Sequence, residues 1–305
     1  MREFECIRHG RMLGISNWAL SRLFLVLVFV HSQSCSQPHQ LGSRPAGSEN
    51  SAGPPPQASD YVLVFSDEFD RLNLSSNGTG VYTWYDGLWW ENPVPSSNVM
   101  VANGVLTLRW SRGQKPDATS ITTFSHDGTH SKAWRYGYFE VRMRWEAVAG
   151  AWPAIWMLPV QHFQNRTTHV GELDIFEAQG ATPRVFYGTI HEWNQRQDVK
   201  NNKPWNHYQL PASVDPSHFH TYGLLWQPGR VTWYFDDRAF FSAATYSIFD
   251  QQDYYLILAS QEGVNWKYGD LQDVTVSQMD VQVDWVRIWQ KLEEEYVNRP
   301  KSPQH

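Results

Sequence analysis

From Tyr61 onward apolar and polar residues alternate with a period of two, and this pattern limits the available folds more than any other feature. Between Tyr136 and Trp145 the polar residues Glu140, Arg142 and Arg144 alternate with Phe139, Val141, Met143 and Trp145, so an extended chain carries its apolar side chains on one face. Near the end Val281, Val283 and Trp285 alternate with Gln282 and Asp284. Turn residues separate these runs. Asn103-Gly104, between Val99–Val101 and Val105–Leu108, predicts a hairpin with a two-residue turn, and Pro228-Gly229 and Asp236-Asp237 bracket a strand from Val231 to Phe235. Helical spacing is nearly absent, with one short stretch at Lys291 to Val297. Many antiparallel strands, each with one apolar face, must bury that face against another layer, which predicts an all-β sandwich or barrel. With 305 residues, 41% of them apolar, the chain has material for one large core.

The ends read differently. Arg2, Arg8, Arg11 and Arg22 precede the apolar run Leu23 to Val30, and Ser32 and Ser34 follow, a signal-peptide pattern over residues 1–35. The run is well short of the roughly 20 residues needed to cross a bilayer. Cys35 follows Ser34, where a bacterial lipoprotein would be cleaved and acylated, but His31, Ser32 and Gln33 fit that motif poorly; export is the reading and lipid anchoring the minor alternative. Residues 36–60 are rich in Ser, Pro and Gly and predict a disordered linker, 61–290 the folded domain, and 291–305 a tail. The only cysteines are Cys6 and Cys35, so the folded domain has no disulfide. Sequons at Asn73, Asn77 and Asn165 carry meaning only in a eukaryotic host. The formal charge is −6, and removing residues 1–35, with four basic and two acidic groups, leaves −8. That balance argues against nucleic acid and strongly anionic polymers as partners.

Within this β pattern, Glu172-Leu173-Asp174-Ile175-Phe176-Glu177 places three carboxylates in a run that otherwise reads as a buried strand. Burying unpaired carboxylates costs several kcal/mol or raises their pKa, so folding alone does not select this cluster. Carboxyl groups with different pKa values are the equipment of glycoside hydrolysis. In a regular strand Glu172, Asp174 and Phe176 share a face and Glu177 points the other way. Bringing Glu177 into the same cleft requires a β-bulge near Ile175-Phe176. Sixteen tryptophans are available to stack on sugar rings, although each by itself is better explained as core.

The spacing Glu-x-Asp-x-x-Glu resembles the catalytic strand of glycoside hydrolase family 16 in its laminarinase-like, endo-β-1,3-glucanase branch. Other segments match the family in order. These are Phe65 to Asp70, Tyr136 to Arg142, Trp152-Pro153-Ala154-Ile155-Trp156-Met157-Leu158-Pro159, Gly188-Thr189-Ile190-His191, Phe219 to Trp226, and Val283 to Trp289. The resemblance implies a two-sheet β-jelly roll, concanavalin A-like, with a concave glycan cleft. It implies that Glu172 is the nucleophile, Glu177 the acid and then the base, and Asp174 the group that hydrogen-bonds Glu172, the three titrating together. It places His191 near the catalytic subsite, gives Trp152 and Trp156 a division between lining the cleft and packing, and sets Trp266 against a bound sugar. No cofactor is required; a structural calcium ion held around Asp284, Gly104 and Glu68 is the one metal the family brings. The expected partner is a polysaccharide, with no nucleic acid or nucleotide cofactor, and the expected protein is a secreted or periplasmic monomer. The chain departs from the glucanase wording at Gly87-Leu88-Trp89-Trp90-Glu91-Asn92-Pro93 and at Tyr254 to Glu262. The expected activity is retaining endo-hydrolysis of β-glucan, with a β-galactan hydrolase or transglycosylase as alternatives and a non-catalytic lectin-like protein as the competing class.

Overall fold

The computed structural model describes residues 61–195, 197–201, 207–263 and 276–291. In chain order its strands are β1 (Tyr61–Asp67), β2 (Leu74–Ser75), β3 (Trp84–Asp86), β4 (Val99–Ala102), β5 (Val105–Ser111), β6 (Ala118–Thr122), β7 (Ala133–Trp134), β8 (Gly137–Trp145) and β9 (Ala151–Pro159). They continue as β10 (His169–Ala178), β11 (Val185–Asn194), β12 (Gln197–Asn201), β13 (His207–Gln209), β14 (His220–Gln227), β15 (Arg230–Phe235), β16 (Arg238–Ala244), β17 (Tyr254–Glu262) and β18 (Gln278–Lys291). The leader, the linker, Cys35 and Trp266 lie outside the described residues, as does the helix expected at Lys291 to Val297 except for Lys291, which ends β18 as a strand residue.

Two sheets hold these strands. An eight-stranded sheet runs β16-β15-β14-β8-β18-β5-β4, with β1 added beside β18. A ten-stranded sheet runs β12-β11-β10-β9-β17-β6-β3-β2, with β13 beside β11 and β7 beside β17. Apart from the short β2–β3 pair, the pairings are antiparallel. The Asn103-Gly104 hairpin forms as expected: both residues have positive φ (53° and 72°), the twist that a two-residue turn needs to match its strands.

The period-two alternation drives the packing. In β5, Leu106, Leu108 and Trp110 are buried while the residues between them are half-exposed. They join Phe139, Val141 and Met143 of β8 and Ile155, Met157, Leu173 and Ile190 of the other sheet in one core between the layers. Trp84, Trp110, Trp226 and Trp233 are fully buried there, so much of the tryptophan content fills the sandwich. A smaller cluster sits on the outer face of the ten-stranded sheet, where Leu88, Phe124, Leu158, Phe163, Tyr255 and Ile257 pack together. On the outer face of the eight-stranded sheet, Tyr138, Leu225, Tyr234 and Trp289 form a third.

Candidate active site

The bulge lies where the acid spacing required it. Asp174 stands opposite Trp156 of β9 and Thr189 of β11, whereas Glu177 stands opposite Ala154 and Tyr187. β10 thus spends one more residue than either neighbour between these two points, at Ile175-Phe176. Leu173, Ile175 and Phe176 all enter the central core, although the last two are consecutive, and this returns Glu177 to the face of Glu172 and Asp174. Tyr222 and Phe186 hold the Phe176 ring at centroid distances of 4.2 and 5.3 Å.

A bulge interrupts the ladder, and its freed backbone groups need partners. The indole Nε1–H of Trp233 donates to the Asp174 carbonyl at 2.9 Å, in the buried layer. Gly188 makes room for this indole: a Cβ there would stand 2.2 Å from Trp233 Nε1. The glycine of Gly188-Thr189-Ile190-His191 is therefore a packing requirement of the acidic strand.

On the outer face each acid has a specific donor. Trp193 Nε1–H donates to Glu172 at 3.1 Å, and Trp152 Nε1–H donates to Glu177 at 3.2 Å. His191 stands 3.3 Å from the Asp174 carboxylate through Nε2 and 2.8 Å from Asp198 through Nδ1, and its ring stacks on Trp193 at 5.3 Å. Burial opposes a charge on His191, but Asp174, with Glu172 and Asp198, outweighs it and raises the imidazolium pKa to about 11. Burial, reinforced by the charge of Asp174, pushes Glu172 up to about 8 and Glu177 well above the usual carboxylate range. His191 restrains both shifts, helped by Trp193 at Glu172 and by Trp152 at Glu177. Both glutamates therefore favour their protonated forms more than free carboxyls do, while His191 neutralises the anion between them.

Of the residues expected to bind substrate, Trp152 reaches Glu177, and Trp156 packs half-buried against the outer cluster of Leu158, Tyr255 and Ile257. His191 touches Asp174, and Trp266 is outside the described residues. Trp193, Asp198 and Trp233 were not anticipated. Trp193 was within reach, since it follows His191 by two residues on the same face; Asp198 arrives only through the return strand β12.

Metal binding has two places to consider. Glu172, Asp174 and His191 bring ligand atoms within 4.8 Å of one another, but His191 is already engaged through both ring nitrogens, with Asp174 and with Asp198. At the calcium corner, a Cβ on Gly104 would lie 3.9 Å from the Glu68 carbonyl oxygen. Asp284, however, pairs with Arg142, and Arg287 takes both carboxylate oxygens of Glu68 at 2.9 and 3.1 Å. Two guanidinium groups already answer the anionic charge there, so this donor set does not fit a divalent cation.

The floor around the acids is built from residues sharing their face: Trp152 and Trp156 of β9, Thr189 and Trp193 of β11, and Tyr255 and Ile257 of β17. Among the described residues, no lysine or arginine occupies the outward positions of β9, β10, β11 or β17.

Comparison with known proteins extends this geometry. Endo-1,3-1,4-beta-glycanase EglC of Rhizobium meliloti is 30% identical over 261 residues, 74% of this chain and 51% of its own length. Endo-1,3-1,4-beta-glycanase ExsH of the same organism is 29% identical over 253 residues, again 74% of this chain and 51% of its own. The chain thus spans about half the length of these relatives. The catalytic domain of an endo-1,3-beta-glucanase from Thermotoga petrophila has the same fold, with a TM-score of 0.61 over 77% of this chain and 99% of that one, at 23% identity. The family profile described as Beta-porphyranase A-D, GH16 domain, matches residues 61–291, and on that match the chain belongs to glycoside hydrolase family 16.

Proposed function

We propose that the protein is a retaining endo-glycosidase acting on β-glucan, with β-1,3 linkages as its main target. The observation that carries this is the bulge at Ile175-Phe176, which puts Glu172, Asp174 and Glu177 on one solvent-facing surface and gives each glutamate its own indole donor. Glu172, the glutamate whose rise stops at about 8, loses its proton to solvent and attacks the anomeric carbon as a carboxylate. Glu177, held protonated by burial and by the charge of Asp174, donates its proton to the departing glycosidic oxygen as the old bond breaks. In the second step Glu177 takes a proton from water, the water oxygen bonds to the same carbon, and Glu172 leaves. Asp174, locked by His191 and through it Asp198, is the positioning anion that keeps the two glutamates from ionising together.

The glucanase relatives and an aromatic floor without lysine or arginine among the described residues support a neutral glucan. The second reading, a β-galactan hydrolase, is favoured by the porphyranase description of the family profile. A sulfated galactan needs cations along its path, and among the described residues the outward positions around the acids offer no lysine or arginine, only His191, which Asp174 and Asp198 already hold. Transglycosylation is the same chemistry with a sugar replacing water. A lectin-like binder has no use for three acids gathered by a bulge onto one face. We further propose that the signal-peptide pattern exports the domain to the periplasm or the medium, where it meets its polysaccharide as a monomer.

The deciding experiment screens laminarin, lichenan, agarose and β-1,3-galactan for new reducing ends and follows the product anomer by NMR. Release from laminarin with retention is expected. Inversion would refute the double displacement, and no release from laminarin would refute the substrate.

A further inference from the structure

The segment that departs from the glucanase wording builds an aromatic platform beside the acids. Trp89 and Trp90 meet edge to face at 5.0 Å, and both meet the His162 ring, at 5.8 and 5.4 Å. Phe163 supports Trp89 from the other side at 5.4 Å. Trp90 remains 44% exposed, although a large apolar ring normally seeks cover. The loop that carries it is fixed: Leu88 N–H donates to the Glu91 carboxylate at 3.1 Å, and Gly87 N–H donates to the Ser120 carbonyl at 2.8 Å.

A second observation points to a ligand. Trp89 Nε1, His162 Nδ1 and the Tyr255 hydroxyl are buried without a hydrogen-bond partner among the described residues, and all belong to this platform or the cluster beneath it. Unmet buried polar atoms are costly, and here three belong to the residues around one exposed indole.

Register places the platform relative to the reaction. Tyr255 lies opposite Leu158, next to Met157, which faces Leu173; Ala259 lies opposite Ala154, which faces Glu177. Tyr255 therefore belongs to the Glu172 end of the row, and its phenol is subject to the charges of both Glu172 and Glu91. We propose that Trp90 and His162 form a glycan subsite on the Glu172 side, stacking a neutral hexose of the chain that remains bonded to the nucleophile. Trp90 carries no charge and burial holds His162 toward its neutral form, so the stacking face suits a neutral sugar.

This rests on the hydrolase reading above, and its test separates the two. Wild type, Trp90→Ala and Trp90→Phe are compared on β-1,3-gluco-oligosaccharides from disaccharide to heptasaccharide, with the cleaved bond located by reducing-end labelling. Trp90→Ala is expected to lower kcat/KM about tenfold on chains long enough to reach the platform and to leave the shortest cleaved chain nearly unchanged, with Trp90→Phe restoring most of the loss. A uniform loss at every length, or none at any, overturns the proposal. If wild type cleaves none of the series, the hydrolase reading fails. The subsite is then judged by indole fluorescence of Glu172→Gln titrated with the same heptasaccharide and with a sulfated galactan oligosaccharide. Binding of the glucan that Trp90→Ala abolishes sustains it, and no such loss, or preference for the sulfated chain, overturns it.

Discussion

The outer faces of the two sheets both carry buried acids, and the contrast between them separates a structural carboxylate from a reactive one. On the eight-stranded sheet, Glu140 is buried beside Tyr138, whose hydroxyl donates to it at 2.8 Å, under the cluster of Leu225, Tyr234 and Trp289. Burial pushes its pKa up to about 7, with Tyr138 and Arg287 pulling it back. On the ten-stranded sheet burial pushes Glu172 to about 8. A raised pKa therefore does not mark chemistry in this molecule. The difference lies in arrangement: Glu140 has a tyrosine donor and one acid neighbour, Asp237 of the β15–β16 turn, on a regular strand, whereas Glu172 shares a bulged strand with two further acids, and an imidazolium stands between them.

Substitution tests that contrast most strongly. Glu172→Gln is expected to reduce kcat about a thousandfold or more, and Glu177→Gln to reduce it by about a hundredfold to ten-thousandfold, while Tm stays level or rises as a repelling charge is removed. Glu140→Gln should leave kcat/KM nearly unchanged and cost about 1 kcal/mol in urea unfolding. Comparable losses of activity at Glu140 and Glu172 would erase the distinction.

The bulge offers the next test. Deleting Ile175 turns the segment into regular alternation, so Glu172, Asp174 and the acid now at Glu177 still share a face. Measurable turnover is expected to survive, at a cost of about 2–5 kcal/mol for the lost core side chain. Inserting one alanine after Ile175 reverses the last acid and should abolish turnover, read as initial rates on laminarin.

Proton linkage distinguishes the faces more finely. His191 is stabilising while charged, fully so below its unfolded pKa of about 6.5, and that contribution is lost as pH rises toward its folded value of about 11. Glu172 binds its proton more tightly when folded, so its ionisation between about 4.5 and 8 also weakens the fold as pH rises. Tm is therefore expected to fall from pH 6 to pH 9. Asp174→Asn should lower the His191 pKa in NMR titration more than Asp198→Asn does, because Asp174 contributes most of the rise. The smallest effect belongs to the calcium corner. With Arg142 and Arg287 on Asp284 and Glu68, chelation by EDTA is expected to leave Tm unchanged. A clear drop would show that an ion displaces Arg142.

Much of this was legible in the residues. Alternation in β8 gave Phe139, Val141 and Met143 their inward face, Asn103-Gly104 gave a hairpin, and the count from Glu172 to Glu177 required a bulge. Each is local, because strand geometry fixes the face of residue i+2 from that of residue i. The same rule placed Glu140 outward but could not say that Tyr138, Tyr234 and Trp289 would cover it.

The sequence by itself therefore determined the class of fold, the acidic strand and its extra residue. Only the tertiary structure decided which groups surround the acids. Trp233 reaches the Asp174 carbonyl from β15, Asp198 returns on β12 to clasp His191, and Trp89 and His162 meet from loops far apart in the chain. Those contacts depend on which strands become neighbours and how loops close over a sheet, and no periodicity along a single strand carries that information.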